Sequence, residues 1–339
     1  MITSASFIWA EYKFNNPYKF LINQSIFAII GLILMIIISK IDYKIYHRYS
    51  NLILLISIIL LILVLIPGIG MVRNGSRSWF GIGPFGIQPS EIAKLSLIIF
   101  VSKYLSNYGR KMKEIKNYSF PILLVVMFIF FLIMLEPDFG SGAITVLSVV
   151  ALIFTSNIKI SFFVILGLLG ICGVVVLILI APYRVARIIS FLNPWSDPLG
   201  SGFQIIQSLY AIGPGGLFGL GLGNSIQKHF YLPEPQTDFI FAIISEELGI
   251  LGIIILVICY ITLFYNSIRI SFNTEDLFGK YLSFGLIIEL VLQTLLNLLV
   301  VVGLIPVTGV TLPFLSYGGS SLLICLTMIG IILNIGKNK

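Results

Sequence analysis

Nine long apolar segments, separated by short polar stretches, dominate this chain of 339 residues. Hydrophobic residues make up 58% of the sequence and charged residues only 10%, whereas an ordinary soluble domain carries about 25% charge. Several segments are shorter than the roughly 20 residues that cross a bilayer core, but their flanks can complete them. The sequence therefore predicts an all-α, polytopic membrane helix bundle, organised as a single domain over 1–339. The segments are 20–38, 52–66, 92–105, 120–135, 139–155, 160–181, 239–264, 281–302 and 312–335.

Lysine and arginine are distributed unequally between the loops on the two sides of this bundle. Seven of the 21 basic residues lie in the longer loops and the N-terminal segment on one side. The opposite side holds more basic residues, and the positive-inside rule places that side in the cytoplasm. The N-terminus and the large loop 182–237 are therefore expected outside. No cleaved secretory signal is predicted, because residues 1–19 are too polar. A nucleic-acid partner is not expected, since thirteen further basic residues are spread over 39–51, 103–119, 156–159, 265–280 and 336–339.

The cysteines and histidines give no sign of a disulfide or of a metal site. Cys172, Cys259 and Cys325 all lie in apolar segments, so no disulfide framework is implied and we expect small core residues. The sequence contains neither CxxC nor HExxH. His47 lies in a predicted cytoplasmic loop and His229 in the large outer loop, and neither is expected to act as a ligand or a base.

One carboxylate, Asp238, lies at the start of a predicted membrane helix, directly after the Pro-stiffened stretch 231–237. Charged groups at a membrane boundary need water, a partner or a function, and loops much longer than a connection requires are usually functional. Asp238 can be a helix N-terminal residue, which the helix dipole favours. Alternatively it is a general base, whose pKa burial or the neighbouring Glu234 must bring nearer the working pH.

Further polar side chains occur within the apolar segments. Glu246 and Glu247 are too costly to face lipid, so we expect them inside the bundle, paired with lysine or arginine. Glu289, Gln293 and Asn297 recur at four-residue spacing and therefore share one helical face. They are expected to form interhelical hydrogen bonds or to line a polar cavity.

The first outer loop, 67–94, is punctuated by glycine and proline and is expected to turn repeatedly. Its end, Pro89 to Glu91, is typical of a helix start, and Glu91 and Lys94 lie on one face of that helix. One interpretation is a structural ion pair with a snorkelling lysine. The other is that Arg77 and Lys94 bind an anionic headgroup.

The remaining outer segments have sequence patterns that indicate local structure, and one of them allows two interpretations. Asp138, in the turn 136–140, can cap the following helix or form a polar or cation site. Residues 202–213 predict a short amphipathic helix at the membrane surface. The glycine-rich run 214–223 matches no phosphate-binding motif and favours close packing and turns. Residues 303–321 mix proline, glycine and hydroxyl side chains, so irregular backbone there must line protein or water.

Several motifs in these segments resemble those of the shape, elongation, division and sporulation (SEDS) family of membrane proteins. The region 194–210, with Thr311, is most similar to sporulation members, and members of the division septum come next. Ile226 departs from the pattern, since many members carry a basic residue there. The motifs are RSW at 77–79, QPSEIAK at 88–94, PDFG at 137–140, LPEPQTDFIF at 232–241, EELG at 246–249 and the stretch 303–321.

The resemblance implies a peptidoglycan glycosyltransferase that polymerises lipid II at the outer face of the cell membrane, for the spore cortex or the division septum. The catalytic aspartate of the family falls on Asp238. It would take a proton from the acceptor sugar 4-hydroxyl, which attacks the anomeric carbon of a donor lipid II and releases undecaprenyl pyrophosphate. The resemblance leads us to expect substrate binding by Arg77, Gln88, Ser90, Glu91, Lys94, Asp138, Gln207, Lys228, Glu234, Thr237 and Ser316.

The expected partners are lipid II, its undecaprenyl pyrophosphate product, membrane lipid and a class B penicillin-binding protein acting as transpeptidase. No organic cofactor is expected, but a divalent cation, Mg²⁺ or Mn²⁺, near Asp138 or Glu136 would help to neutralise the leaving group. The alternative is a lipid II transporter (a flippase) or a non-catalytic scaffold. A transporter needs a polar path across the whole membrane, whereas the intramembrane polar groups here cluster near the outer ends, with Glu289 the main exception.

The resemblance begins at residue 1, where MITSAS looks like the end of the first membrane helix of the family. Members usually have ten spans, and nine are predicted here. We therefore expect the natural gene to have an in-frame upstream start that adds about 20 apolar residues, enough for one more span.

Overall fold

The computed structural model describes residues 1–338 except 74, 83, 84, 157 and 181. This part of the chain is mainly helical, as the apolar segments predict. A small antiparallel sheet consists of β1 (Met71–Arg73), β2 (Ser76–Ile82) and β3 (Phe85–Ile87). The helices are α1 (Ile2–Phe14), α2 (Lys19–Ile38), α3 (Lys44–Leu65), α4 (Pro89–Tyr108), α5 (Phe120–Leu135), α6 (Phe139–Phe154), α7 (Ile160–Ile180), α8 (Pro182–Leu192), α9 (Phe203–Ile212), α10 (Ile240–Asn273), α11 (Leu277–Val301) and α12 (Gly319–Lys337).

Among the described residues, 6 helices are long and apolar enough to cross a membrane. Two shorter apolar helices, Phe139–Phe154 and Ile160–Val176, accompany them. The chain is thus a multi-pass membrane protein, while the count of nine spans stays a prediction. The six are Lys19–Ile38, Lys44–Leu65, Asn117–Leu135, Ile240–Asn273, Leu277–Val301 and Gly319–Lys337.

Each predicted apolar segment coincides with a helix, but several helix boundaries differ from those of the segments; α3, for example, already begins at Lys44, within residues assigned to a cytoplasmic loop. Helix α10 continues to Asn273, through residues assigned to a cytoplasmic loop. The last helix begins at Gly319 and not near Leu312, because Pro313 and Gly318 interrupt a stretch that is apolar but not helical. The expected short helix in 202–213 is confirmed as α9, and the helix start at Pro89 is confirmed in α4.

The first outer loop contains more regular structure than its glycines and prolines predict. Strand β2 pairs with β1 and with β3, placing Met71 opposite Trp79 and Phe80 opposite Ile87. The sheet is a local feature of the first outer loop within an all-α bundle, and the sequence did not predict it. Glycine and proline are usually depleted in strands, and their abundance hid the short runs between them.

The chain folds as two compact units, each built from several stretches of sequence. The first unit comprises Met1–Ile22, Lys159–Tyr260 and Thr294–Tyr317. The second comprises Asn23–Ile158, Ile261–Gln293 and Gly318–Lys339. Helices α10 and α11 each contribute to both units. The single-domain organisation expected from the sequence stays a prediction.

Small and polar residues hold the helices of the second unit together. The Ser96 hydroxyl on α4 donates to that of Ser57 on α3 at 2.7 Å. Asn334 on α12 accepts a hydrogen bond from the Tyr43 backbone N–H at 2.9 Å and donates to the Ser39 carbonyl at 3.0 Å. In lipid, where helices gain little from the hydrophobic effect, such contacts are the usual basis of helix association.

Helix α10 is broken within the first unit, at Gly249. This residue has φ 63° and ψ −160°, values that only glycine adopts readily. Helical turns are present on both sides of Gly249, and the helix is kinked at this residue. Irregular backbone at membrane depth must be satisfied by neighbouring protein groups, and the glycine-rich segment 215–221 supplies them, as described below.

The cysteines are free, as the sequence predicts, but two of them are not core residues. Cys325 is buried, whereas Cys172 and Cys259 are exposed on α7 and α10. Both helices carry many exposed apolar side chains. In a membrane protein such faces contact lipid, so an apolar segment alone does not distinguish a core position from a lipid-facing one.

Candidate functional site

Asp238 lies in the turn that leads into α10, two residues before the helix begins at Ile240. It thus lies at the N-terminal end of the helix and precedes its first turn. Its side chain is partly exposed, while Phe239 and Ile240 behind it are buried. Burial of these apolar neighbours anchors the turn that carries Asp238.

The backbone around Asp238 is held by polar side chains from other segments of the first unit. The Asn297 amide on α11 donates to the Asp238 carbonyl and to the Val310 carbonyl, each at 2.7 Å. It thus joins the turn before α10 to the irregular outer segment 303–318. The sequence predicted that Asn297 forms interhelical hydrogen bonds or lines a polar cavity. The four-residue spacing predicted the helical face of Asn297, but it could not predict that the Asp238 and Val310 carbonyls are its partners.

Ser316 and Thr237, two predicted substrate-binding residues, lie where two segments of the first unit are joined by hydrogen bonds. The buried Ser316 hydroxyl donates to the Thr237 carbonyl at 2.5 Å and accepts from the Leu312 N–H at 2.8 Å. The Tyr317 N–H donates to the Gln236 carbonyl at 2.7 Å. These bonds fix the backbone directly before Asp238, so the segment 303–318 forms part of its support.

Glu234 shapes the stretch before Asp238 through its backbone. Its φ of 46° is in the left-handed region, and its carbonyl accepts from the Thr237 hydroxyl at 2.9 Å and from the Thr237 N–H at 3.1 Å. Glu234 and Thr237 therefore close a tight turn. Gln207 lies on α9 of the same unit and is partly exposed.

Lys228, also a predicted substrate residue, is almost completely buried within the first unit. Its ammonium lies 3.2 Å from the Glu247 carboxylate and 3.3 Å from the Ser4 hydroxyl. The expectation that Glu247 is buried and paired with a basic residue is confirmed. Glu246 is equally buried but accepts hydrogen bonds from Ser225 and from backbone N–H groups instead.

Lys94 and Glu91 belong to the second unit and form the ion pair that their spacing predicts. The Lys94 ammonium lies 3.0 Å from the Glu91 carboxylate, 3.7 Å from that of Glu289 and 3.2 Å from the Gln293 amide oxygen. Only 2% of Lys94 is exposed. The cluster places two carboxylates around one ammonium group in the protein interior. Glu289 and Gln293 therefore contact Lys94, a role that their helical face alone did not specify.

The turn between α5 and α6 brings three more of the predicted polar residues together. Asp138 caps α6, accepting from the Ser141 N–H at 3.0 Å, and its other oxygen accepts from Gln88 at 2.8 Å. Glu136 is fully buried, and neither of its carboxylate oxygens has a hydrogen-bond partner among the described residues. Burial, and then the charge of Asp138, raise the pKa of Glu136 to about 9.

Arg77 and Ser90 complete the predicted set in the second unit. Arg77 on β2 is partly buried and donates to the Leu65 carbonyl at 3.3 Å. Its Nε and the buried Ser90 hydroxyl have no hydrogen-bond partner within the described part of the chain. A buried donor without a partner costs free energy, which is consistent with a ligand that completes these bonds.

The donor groups around Asp138 determine whether a divalent cation fits there. The described residues contain no group of three or more His, Cys, Asp or Glu side chains that could hold a metal ion. Mg²⁺, however, is usually bound through one or two carboxylates together with waters and substrate phosphates. The carboxylate of Glu136, whose oxygens have no hydrogen-bond partner among the described residues, and that of Asp138 could supply these one or two carboxylates.

Comparison with known proteins places the whole chain in one family. The family model described as "Cell cycle protein", which covers FtsW, RodA and SpoVE proteins, matches residues 1–339. Stage V sporulation protein E of Bacillus subtilis is 52% identical over 337 residues, covering 99% of this chain and 92% of that protein. The probable peptidoglycan glycosyltransferase FtsW of Coxiella burnetii is 41% identical, covering 99% and 91%.

Solved structures agree with this assignment. A chain from a structure described as "Structural coordination of polymerization and crosslinking by a peptidoglycan synthase complex" has a TM-score of 0.79 at 29% identity, covering 99% of this chain and 95% of that one. The rod shape determining protein RodA of Thermus thermophilus has a TM-score of 0.71 at 27% identity, covering 99% and 93%. The resemblance seen in the sequence motifs is confirmed: this chain belongs to the family of the FtsW, RodA and SpoVE proteins.

Proposed function

We propose that this protein is a peptidoglycan glycosyltransferase that polymerises lipid II into a β-1,4-linked glycan at the outer face of the cell membrane. The observation that carries this proposal is the placement of Asp238. Its backbone is fixed by Asn297 and Ser316, while the residue stays partly exposed and its carboxylate lies beside a glycine. A methyl group in place of the Gly309 hydrogen would lie 3.7 Å from the Asp238 carboxylate, so space next to this group is retained.

Asp238 is proposed as the general base. In this step the carboxylate takes the proton of the acceptor 4-hydroxyl, and the freed oxygen attacks the anomeric carbon of the donor. The bond from that carbon to the pyrophosphate oxygen breaks, and undecaprenyl pyrophosphate leaves with the electron pair. Positioning of a base in this way typically contributes about 10²–10⁴-fold to a rate, and a rigid backbone around the base is what such positioning requires.

In the second unit, Arg77 is proposed to bind the pyrophosphate group of lipid II. Arginine binds phosphate oxygens through two parallel hydrogen bonds, and the Nε of Arg77 is a buried donor without a partner among the described residues. Lys94 is proposed to contribute through its charge, although two carboxylates and an amide already surround it. Its contribution to the leaving group is therefore expected to be smaller than that of Arg77.

A divalent cation at Glu136 and Asp138, Mg²⁺ or Mn²⁺, would supply further positive charge for the pyrophosphate when bound. The two residues would hold it through carboxylate oxygens, and Glu136 would have to lose its proton first. Binding of Mn²⁺ to the purified protein, followed by electron paramagnetic resonance, tests this assignment without recourse to activity. Loss of bound Mn²⁺ in both Glu136→Gln and Asp138→Asn, but not in the exposed Glu114→Gln, would support it; equal binding in all of them would exclude it.

A class B penicillin-binding protein is proposed as the transpeptidase partner. The solved relative with the higher TM-score comes from a peptidoglycan synthase complex that coordinates polymerisation and crosslinking. A sporulation role is favoured by the 52% identity to stage V sporulation protein E. Expression restricted to spore formation would support this role over one in division.

The experiment that tests the proposed function is polymerisation of labelled lipid II by the purified protein together with its partner transpeptidase inactivated at its own active site. A ladder of glycan products of increasing length is expected. Movement of labelled lipid II across a vesicle membrane without any ladder would indicate a transporter, and neither result would indicate a scaffold.

A further inference from the structure

The break in α10 is filled by backbone from a distant segment of the first unit. The N–H groups of Leu220 and Gly221 donate to the Glu246 and Glu247 carbonyls at 2.9 Å and 3.0 Å. In return, the Ile250 N–H donates to the Gly216 carbonyl at 2.9 Å. A helix interrupted at Gly249 would otherwise leave these groups unpaired in a medium without water. The segment 215–221 therefore replaces the missing turn of the helix.

Glycine is required on both sides of this contact. A Cβ at Gly249 would meet the Gly219 nitrogen, and one at Gly219 would overlap the Glu247 carbonyl. A Cβ at Gly215 would overlap the Ser245 carbonyl. By contrast, Gly213 has nothing within 4 Å of the position of an added Cβ. The glycine-rich run thus serves close backbone packing, as the sequence favoured.

Side chains of three segments hold the chain that follows this contact, and we call them the loop clamp: Ser4, Ser225, Lys228, Glu246 and Glu247. Glu247 accepts from the Ser4 hydroxyl at 2.5 Å and from the Ser225 N–H at 3.3 Å. Glu246 accepts from the Ser225 hydroxyl at 2.5 Å and from the Ile226 N–H at 2.8 Å. Lys228 also donates to the Gly223 carbonyl.

The loop clamp closes a loop of chain that contains Asp238. Ser225 and Lys228 lie on its N-terminal side, and Glu246 and Glu247 lie on its C-terminal side within α10. The clamp bonds therefore hold the two ends of 229–245 together. The side chains that form them are buried: Lys228, Glu246 and Glu247 are at most 5% exposed. Charge-assisted hydrogen bonds of this kind are short and roughly twice as strong as neutral ones.

We propose that Lys228 and Glu247 are positioning residues, whose buried ion pair sets the conformation of 229–238 and so the placement of Asp238. This inference rests on the proposed function and gives Lys228 a role that differs from the substrate contact expected from the sequence. The Lys228 ammonium is directed at Glu247, Ser4 and Gly223. It acts through the loop, and Asp238 remains the group that touches the substrate.

Two measurements test the proposal in the full-length protein in lipid nanodiscs. The first is hydrogen exchange of the peptides that cover 229–238, which requires no activity. We expect faster exchange there in Lys228→Met and in Glu247→Gln, near wild-type exchange in Lys228→Arg, and an intermediate rate in Ser4→Ala, the mildest change. Exposed Glu275→Gln is the matched control for Glu247→Gln.

The second measurement is the steady-state kinetics of lipid II polymerisation. Because a misplacement of about 1 Å can cost on the order of 100-fold in rate, we expect kcat to fall by at least tenfold in Lys228→Met. The KM for lipid II should stay within about twofold, and Lys228→Arg should restore kcat. A raised KM with unchanged kcat would show that Lys228 contacts substrate and would overturn the proposal.

The exchange measurement separates this proposal from the proposed function. If the wild-type protein makes no polymer but 229–238 loosens in the clamp variants, the clamp stands and the glycosyltransferase assignment fails. If exchange in 229–238 is unchanged in every variant, including the mild Ser4→Ala, the clamp is wrong even where polymer is made. A variant that does not fold is identified by faster exchange throughout the chain. In that case the exchange of 229–238 in the milder variants Ser4→Ala and Lys228→Arg tests the proposal.

Discussion

Replacement of Lys94 by methionine should destabilise the protein substantially, because it removes the cation from between two buried carboxylates. The ammonium lies 3.0 Å from Glu91 and 3.7 Å from Glu289, and the side chains are 1%, 7% and 1% exposed for Lys94, Glu91 and Glu289. Removing one partner of a buried ion pair typically costs about 3–5 kcal/mol. We expect Lys94→Met at the upper end, since two acids lose their counter-charge together.

A thermodynamic cycle isolates the ion pair from other effects of the substitution. Glu91→Gln alone should cost less than Lys94→Met, because Lys94 keeps Glu289. The double variant Glu91→Gln/Lys94→Met should be more stable than the sum of the two single costs predicts. Lys103→Met, in the same helix, is the control: its ammonium donates an exposed hydrogen bond to the Asn51 amide oxygen at 3.4 Å, so a change within about 0.5 kcal/mol is expected.

The assay is thermal unfolding of the purified protein in detergent, followed by tryptophan fluorescence, with lipid II binding measured on the same samples. A lower Tm for Lys94→Met than for Lys103→Met is expected. If Lys94→Met is as stable as the wild type and only lipid II binding is lost, the ammonium serves the substrate and not the fold. That result would refute the ion-pair reasoning.

Two further predictions concern Arg77 in the second unit and Asn297 in the first. Arg77→Gln should raise the KM for lipid II more than Arg187→Gln, a change at an exposed arginine of the outer loop, because the pyrophosphate loses a bidentate donor; equal KM values in steady-state polymerisation would remove Arg77 from the site. Asn297→Ala should lower kcat by at least tenfold, since it frees the Asp238 and Val310 carbonyls, at a cost of about 1–3 kcal/mol for each buried group left unpaired. Asn266→Ala, which removes only an exposed bond to Thr262, should leave kcat unchanged, and a similar loss in both variants would contradict the assignment.

The helices could be predicted from the sequence because apolar runs of sufficient length have few alternatives in a membrane. Helix α5 occupies the predicted residues, Phe120–Leu135. Regular structure between the spans was harder to predict, since strands β1 to β3 are short and contain glycine. The break at Gly249 was also missed, because a lone glycine in an apolar run is compatible with a continuous helix, and its partners lie about thirty residues earlier in the chain.

In the candidate site, too, contacts between residues close in sequence could be predicted, whereas contacts between distant segments could not. The pairing of Glu91 with Lys94 follows from i,i+3 spacing, and burial of Glu247 follows from the cost of exposing a carboxylate to lipid. The identity of the basic partner, Lys228, depends on how the outer loop folds back onto α10. Spacing placed Asn297 on the correct face of α11 but could not reveal that its amide binds the Asp238 carbonyl.

The most direct test of the central claim is lipid II polymerisation by Asp238→Asn, measured as glycan length on a gel beside the wild type. The matched control is Asp197→Asn, which removes an exposed outer-loop carboxylate that bonds locally to Ser201. We expect Asp238→Asn to insert in the membrane normally and make no polymer, because the amide cannot accept the hydroxyl proton, while Asp197→Asn makes polymer like the wild type. Polymer from Asp238→Asn at the wild-type rate would show that Asp238 is not the base.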